Sequence, residues 1–217
     1  MIRVENLSVA VKKEKILYNI LNDININLVQ KGITVITGKS GIGKTVFAKT
    51  ISGLLPNNFV INGLFYVNDI KTKYEDIKKM TGKGVFYLPQ NAKASLNPVL
   101  KIKTQFNDFD NIDKNKIMQL MSDLAIEKPN RILNAYPFAL SEGECQRIIF
   151  IMGIILAPKL FILDEPSSSL DEKTQKTIIE KLLSINLSKT SILLISHNIK
   201  FINLLQNTDY LEFSSKL

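Results

Sequence analysis

Gly38-Lys39-Ser40-Gly41-Ile42-Gly43-Lys44-Thr45 is the stretch from which the rest of the chain can be read. A glycine, any four residues, then Gly-Lys-Thr is the spacing of a phosphate-cradling loop. Gly38, Gly41 and Gly43 let the backbone wrap so that successive N–H groups point inward at phosphate oxygens. Lys44 brings a point charge to the outer phosphates, and the Thr45 hydroxyl is placed to ligate Mg²⁺. Lys39, Ser40, Ile42 and Val46 complete the expected contact set. The flanks agree with this reading. Ile33-Thr34-Val35-Ile36-Thr37 is a β-branched apolar run suited to a buried parallel strand. Val46 to Leu55 reads as a helix whose N-terminus faces the phosphates and which stops near Gly53 and Pro56. A chance glycine-rich turn would have no reason to carry both flanks.

A second motif lies downstream. Leu160-Phe161-Ile162-Leu163-Asp164-Glu165 sets two carboxylates at the C-terminal end of an apolar strand, the edge where open parallel sheets bind ligands. Asp164 is read as holding Mg²⁺ through water. Glu165 is read as orienting or deprotonating an attacking water. Two acids capping the next helix, which Pro166 could begin, is the competing reading, and the phosphate loop upstream weighs against it.

Composition bounds the class. The chain has 217 residues, 45% hydrophobic and 22% charged, which suits one globular domain or two intimate lobes. Its longest apolar run, Ile148 to Ala157, falls short of the roughly 18 residues a spanning helix needs. Met1-Ile2-Arg3-Val4-Glu5 lacks a signal-peptide layout, so a soluble cytosolic protein is expected. Cys145 stands alone and cannot form an internal disulfide, and no Cys/His cluster suggests a structural metal. A net charge of +8 is compatible with a nucleic-acid or anionic-membrane surface. No basic cluster is interleaved with aromatics, so the charge reads as Lys-rich solvated faces, and no nucleic-acid partner is expected.

In chain order, Ile2 to Leu28 alternates loosely and reads as antiparallel strands. Val60 to Val67 gives a further strand, Lys71 to Lys79 a polar surface helix or loop, and Val85 to Leu88 an apolar strand ending at Pro89-Gln90. Helical pattern runs from Asp113 to Ala125 and again from Ser141 to Leu156. A helix over Glu172 to Leu183, a strand over Ser191 to Ser196 and a last helix over Ile199 to Leu205 complete the chain. Alternating strands and helices predict a parallel, doubly wound sheet, with Asn91 to Gly153 as a strand-free helical insert. The chain stops at Leu217, so a C-terminal extension is expected to be absent.

These motifs, in this order, resemble the ATPase subunits of ATP-binding-cassette (ABC) transporters over nearly the whole length. The resemblance implies an α/β fold: a P-loop NTPase (RecA-like) core with an N-terminal antiparallel β subdomain and a helical insert. It implies one ABC ATPase domain over 1–217, with 1–90 and 154–217 as core and 91–153 as the helical subdomain. Gln90 resembles the glutamine loop that touches Mg²⁺ and senses the membrane partner. Leu140-Ser141-Glu142-Gly143-Glu144 stands where the signature Leu-Ser-Gly-Gly-Gln belongs, followed by the usual Gln146-Arg147. Ser141, Gly143 and Glu144 would then face the γ-phosphate held by an opposite subunit. Ser168-Ser169-Leu170-Asp171 looks like the loop that reaches across the dimer, and His197 like the switch histidine at the γ-phosphate. The family implies Lys44, Gln90, Glu165 and His197 as catalytic, Thr45, Gln90 and Asp164 at the metal, and ATP and Mg²⁺ as cofactors. It also implies membrane-spanning permease subunits, a second ATPase subunit, and a place on the cytoplasmic face of the cell membrane reached only through the permease. Gln90 to Pro98, Gly43 to Pro56 and Arg131 to Phe138 resemble the peptide and nickel importer group, nickel-type subunits most closely.

Two places depart from the pattern. Ser141-x-x-Glu144 is also a capping box, and acids in a first helical turn stabilise it by about 0.3–1 kcal/mol each. The same acids near a polyanionic nucleotide, at about 6 Å and an effective dielectric of about 20, are repelled by roughly 2–3 kcal/mol per pair of charges. That balance predicts a weakened composite site and favours a heterodimer, unless a cation or a side-chain swing relieves it; a Glu142 turned outward at no cost is the alternative. At the N-terminus, the place of the family's adenine-stacking aromatic holds Val11. Tyr18 is the nearest aromatic, in a different register, where core packing is the simpler role. Cys145 lies in a first helical turn, where thiol pKa tends to fall, or is a small packing residue. Chromosome- or repair-type ATPases are disfavoured by the absence of a heptad coiled coil between the motifs. Two-cassette translation proteins are disfavoured by length, and a weakly hydrolysing regulatory subunit by the intact Asp164-Glu165 pair and His197.

Overall fold

The computed structural model describes residues 2–28, 31–82, 84–107, 109, 113–168, 170–185, 189–205 and 208–213. Strands β1 (Ile2–Lys13) and β2 (Ile16–Asn27) form a long antiparallel hairpin. Strand β3 (Ile33–Thr37) runs through the glycine loop into helix α1 (Lys44–Ile51). Strand β4 (Phe59–Val67) pairs with β1, β5 (Ile70–Thr72) pairs with β4, and α2 (Tyr74–Lys78) leads to β6 (Val85–Leu88). Four helices follow: α3 (Ile102–Phe106), α4 (Lys114–Asp123), α5 (Pro129–Asn134) and α6 (Glu142–Leu156). The chain then alternates through β7 (Leu160–Asp164), α7 (Glu172–Ser184), β8 (Ser191–Ile195), α8 (Ile199–Asn203) and β9 (Asp209–Glu212).

The strands make two sheets. One is antiparallel in the order β2-β1-β4-β5, and the other is parallel in the order β6-β7-β8-β3-β9. The parallel sheet is apolar on both faces because alternate residues feed two cores. Phe161, Leu163, Ile192 and Leu194 pack against the helices of the middle segment. Leu160, Ile162, Leu193 and Ile195 pack against α1 and the antiparallel sheet, with Leu7, Val9 and Phe47. The continuous apolar runs legible in the sequence are the signature of this double burial. Among the described residues no helix is long and apolar enough to cross a membrane.

The expected α/β architecture is found, and no strand lies among the described residues between 91 and 153. Four elements differ from expectation. The polar stretch after residue 70 opens with a strand, β5, before its short helix. The segment between Gln90 and Asp113 contains α3, and the one before Tyr136 contains α5, both only a turn or two long. Among the described residues the last element is strand β9 rather than a helix. Each is too short for a periodic pattern, and β9 is an edge strand with Asp, Tyr and Glu outward.

Helix α6 is buried on nearly every side, and the bare Cα of Gly153 sits on the ring of Phe161. Gly153→Ala gains helix propensity of about 1 kcal/mol but overpacks a closed core at a cost of about 1–3 kcal/mol. The expected outcome is a net loss of about 1 kcal/mol, read as a lower denaturation midpoint at unchanged slope.

Candidate active site

Three separate parts of the chain shape the glycine loop. Gly38 has φ 135°, and a Cβ there would stand 2.7 Å from the carbonyl oxygen of Phe213. Phe213 follows β9, donates its N–H to Thr37 O at 3.0 Å, and packs its ring at a tilt against Phe47 of α1, with centroids 5.3 Å apart. Gly43, with φ 102°, precedes α1 and packs its Cα on Leu21 of β2. Only glycine combines those angles with that proximity. Lys44 is buried, and its Nζ donates to the carbonyls of Gly38 at 2.8 Å and Lys39 at 2.9 Å, spanning the loop.

The loop borders a cleft of about 460 Å³. Gly38, Lys39, Ser40, Gly41, Gly43, Lys44, Thr45, Val46, Gln90, Asp164, Glu165 and His197 all line it. Ile42 instead packs against the second core. Ile20 lines the cleft and escaped sequence reading. The pairing steps from Ala10↔Asn19 to Val9↔Leu21, leaving Ile20 as the extra residue of a bulge, and bulges re-aim side chains.

Asp164 is fully buried. Its Oδ2 accepts from Tyr87 Oη at 2.9 Å, while Oδ1 is buried without a partner. Burial pushes the carboxyl up, and hydrogen bonds from Thr45 and Tyr87 oppose that shift. An orphaned carboxylate oxygen beside a threonine hydroxyl is the hard oxygen set that suits Mg²⁺, so these residues fit the ion. Glu165 has φ 50°, an uncommon conformation for a non-glycine residue and one that recurs at functional sites. Its N–H donates to Ile195 O at 2.9 Å, and its Oε1 lies 2.6 Å from His197 Nδ1. The glutamate side chain is 9% exposed and the histidine 71%, so a buried carboxylate is tied to a solvent-facing imidazole.

The signature segment stands apart: Ser141, Gly143 and Glu144 do not line this cleft. The capping box is complete, with Glu144 N to Ser141 Oγ at 3.1 Å and Ser141 N to Glu144 Oε2 at 2.8 Å. Glu144 also pairs with Arg131. Glu142 does not turn outward; its Oε1 accepts from the backbone N–H of Lys93 at 3.2 Å. Lys93 Nζ donates to Leu140 O at 2.7 Å and Phe138 O at 3.2 Å. Glu142 is thus hydrogen-bonded back onto the chain, while its charge and that of Glu144 stay in the first turn of α6.

Three further residues organise the site. Gln146 is buried, and its Nε2 donates to the carbonyl of Glu165 at 3.2 Å. Arg147 donates to the carbonyls of Leu124 and Ala125, closing the end of α4. Gln175 donates to Ser167 O and Leu170 O and accepts from Asn198, joining the loop before α7 to the residue after His197. Ser169 of that loop lies outside the described residues. Gln175 and Tyr87 lie in ordinary helix and strand patterns, which carry no signal of such contacts. Tyr18 is not core: it is 49% exposed and directly opposite Val11. Lys13 Nζ lies 5.9 Å from its ring centre.

Burial, not the helix end, decides the cysteine. Cys145 is fully buried and its thiol is pushed up to about 11. At pH 8 the native thiol is expected to react with a disulfide reagent at least about two orders of magnitude more slowly than in the unfolded chain, because so little thiolate is present. Glu144→Ala removes half the capping box and the Arg131 pair, and is expected to cost about 1 kcal/mol in chemical denaturation, with Glu144→Gln close to parent.

Comparisons with known proteins bear on the family and the fold. A family model described as "ABC transporter" matches residues 21–168. The dipeptide transport ATP-binding protein DppD of Caldanaerobacter subterraneus subsp. tengcongensis is 30% identical over 214 residues, covering 92% of this chain and 65% of that protein. The metal-staphylopine import system ATP-binding protein CntD of Staphylococcus aureus (strain NCTC 8325 / PS 47) is 28% identical over 198 residues, covering 85% and 72%. The chain thus spans somewhat less than two thirds of the length of the dipeptide relative. The dimeric post-hydrolysis structure of the ATP-binding cassette MJ0796 with ADP and Pi superposes with a TM-score of 0.79 at 21% identity, covering 98% of this chain and 95% of that one. Motifs, fold and family model together establish that the chain belongs to the ABC transporter family.

Proposed function

We propose that the chain is the ATP-hydrolysing subunit of an importer that acts through separate membrane-spanning subunits. The observation that carries this reading is the Glu165–His197 pair held at the mouth of the glycine-loop cleft. Lys44 and the loop N–H groups would bind the phosphates, Glu165 would orient and deprotonate the attacking water, and His197 would meet the γ-phosphate. Mg²⁺ held by Thr45, Asp164 and Gln90 would neutralise phosphate charge when bound. Catalysis is then positioning plus electrostatics. Relatives named for dipeptide, oligopeptide and metal-staphylopine transport support short peptides or a metal chelate as cargo. Nickel rests only on the likeness of Arg131 to Phe138 to nickel-type subunits.

Two such subunits would clamp two ATP molecules head to tail, each glycine loop facing the other's Ser141–Gly143 segment. The helices of residues 91–153, with Gln90 at their hinge, serve as the dock for the membrane subunits, on the cytoplasmic face. The two signature acids favour a partner subunit of different sequence, whose unmodified signature would complete this chain's loop. If Glu142→Gly leaves ATP turnover of the assembled transporter unchanged, the preference for a heterodimer is lost.

The direct test is ATP turnover by the purified chain beside Glu165→Gln. The expected result is ATP binding by both, with turnover slow in the lone parent and at least about 100-fold lower still in the variant. ATP-dependent homodimers of the variant with turnover in the parent would speak for a symmetric motor, and tight binding with neither for an obligate partner subunit. Equal turnover in parent and variant would remove Glu165 from the chemistry. Failure of both to bind ATP would remove the nucleotide reading.

A further inference from the structure

We propose that Tyr87 is a positioning residue for Asp164, its hydroxyl fixing one carboxylate oxygen so that the other is presented to Mg²⁺. This rests on the nucleotide reading above and adds a residue that lies outside its motifs.

The placement follows from strand register. Tyr87 of β6 lies opposite Ile162 of β7 in a parallel pair. Asp164 is two residues beyond Ile162, so all three side chains share one face of the sheet. The phenol reaches along the strand to Asp164 Oδ2 at 2.9 Å, and the ring packs against the second core. A tyrosine hydroxyl has a single proton to donate, and here Oδ2 receives it. The terminal torsion of an aspartate is broad and roughly two-fold, so an untethered carboxylate would exchange its oxygens. With Oδ2 held, Oδ1 is the buried oxygen left without a partner, in a carboxylate that lines the same cleft as Thr45. Strand β6 also leads directly into Gln90, so one strand carries the tether and the glutamine beyond it.

Removing partners that orient metal ligands characteristically costs 10–100-fold in metal affinity. The test uses the full chain and trinitrophenyl-ATP fluorescence, with Mg²⁺ titrated at fixed nucleotide and a parallel series in EDTA. Tyr87→Phe is expected to raise the Mg²⁺ concentration for half-saturation about 10-fold, with affinity in EDTA unchanged. An unmoved half-saturation, or an equal fall in EDTA, would reduce Tyr87 to a packing residue and overturn the proposal. Because Tyr87→Phe strands a buried oxygen, the cycle is closed in an Asp164→Asn background. There, adding Tyr87→Phe should leave the half-saturation where Asp164→Asn put it, and a further shift would overturn the proposal. Nucleotide binding by the parent that ignores Mg²⁺ would overturn the metal reading itself, a failure distinct from a silent Tyr87.

Discussion

Phe161 lies fully buried between the rings of Phe86 and Phe150, at centroid separations of 5.7 and 5.8 Å, and against the bare Cα of Gly153. That packing fixes β7 from the face the helices cover, while Ile162 and Leu160 fix it from the other. A strand clamped on both faces cannot tilt or slip by one residue without exposing its apolar side chains. Asp164 and Glu165 stand at its end, so their separation from the glycine loop on β3, two strands away, is set by the sheet. Hydrophobic packing thus places the strand end that carries the carboxylates, and polar contacts orient the side chains on it.

The same economy holds for the loop. Strand β2 presses on Gly43, the end of β9 presses on Gly38, and Lys44 ties the loop's carbonyls from within. Residues nearly two hundred positions apart therefore meet at one turn of backbone. A loop shaped before ligand arrives loses less conformational entropy on binding than a floppy one. Helix α6 is joined in turn to the carboxylate end through Gln146, and the loop before α7 to the histidine through Gln175.

Much of this was legible in the residues. The glycine loop, the Asp164-Glu165 strand end and His197 announce themselves because chemistry restricts both residue type and spacing, and the structure brings them to one cleft. Strands β3, β7 and β8 were visible as apolar runs because both their faces are buried. What was hidden depends on tertiary register. Ile20 reaches the cleft through a bulge, Tyr87 reaches Asp164 across a strand pair, and β9 is a short edge whose side chains mostly face solvent. Glu142 could be recognised as anomalous, but its turn toward Lys93 depends on a segment nearly fifty residues earlier.

Helix α6 has one mechanical consequence. Its first turn is locked by the Ser141–Glu144 box, and five residues on, Gln146 is tethered to the carbonyl of Glu165. At 1.5 Å per residue the arm between them is about 7.5 Å, so a swing about the tether moves Ser141 by only about 1 Å for every 8° or so. Gln146 thus leaves only a short arm between the capped tip of α6 and the backbone of Glu165, so the two are held at nearly fixed separation.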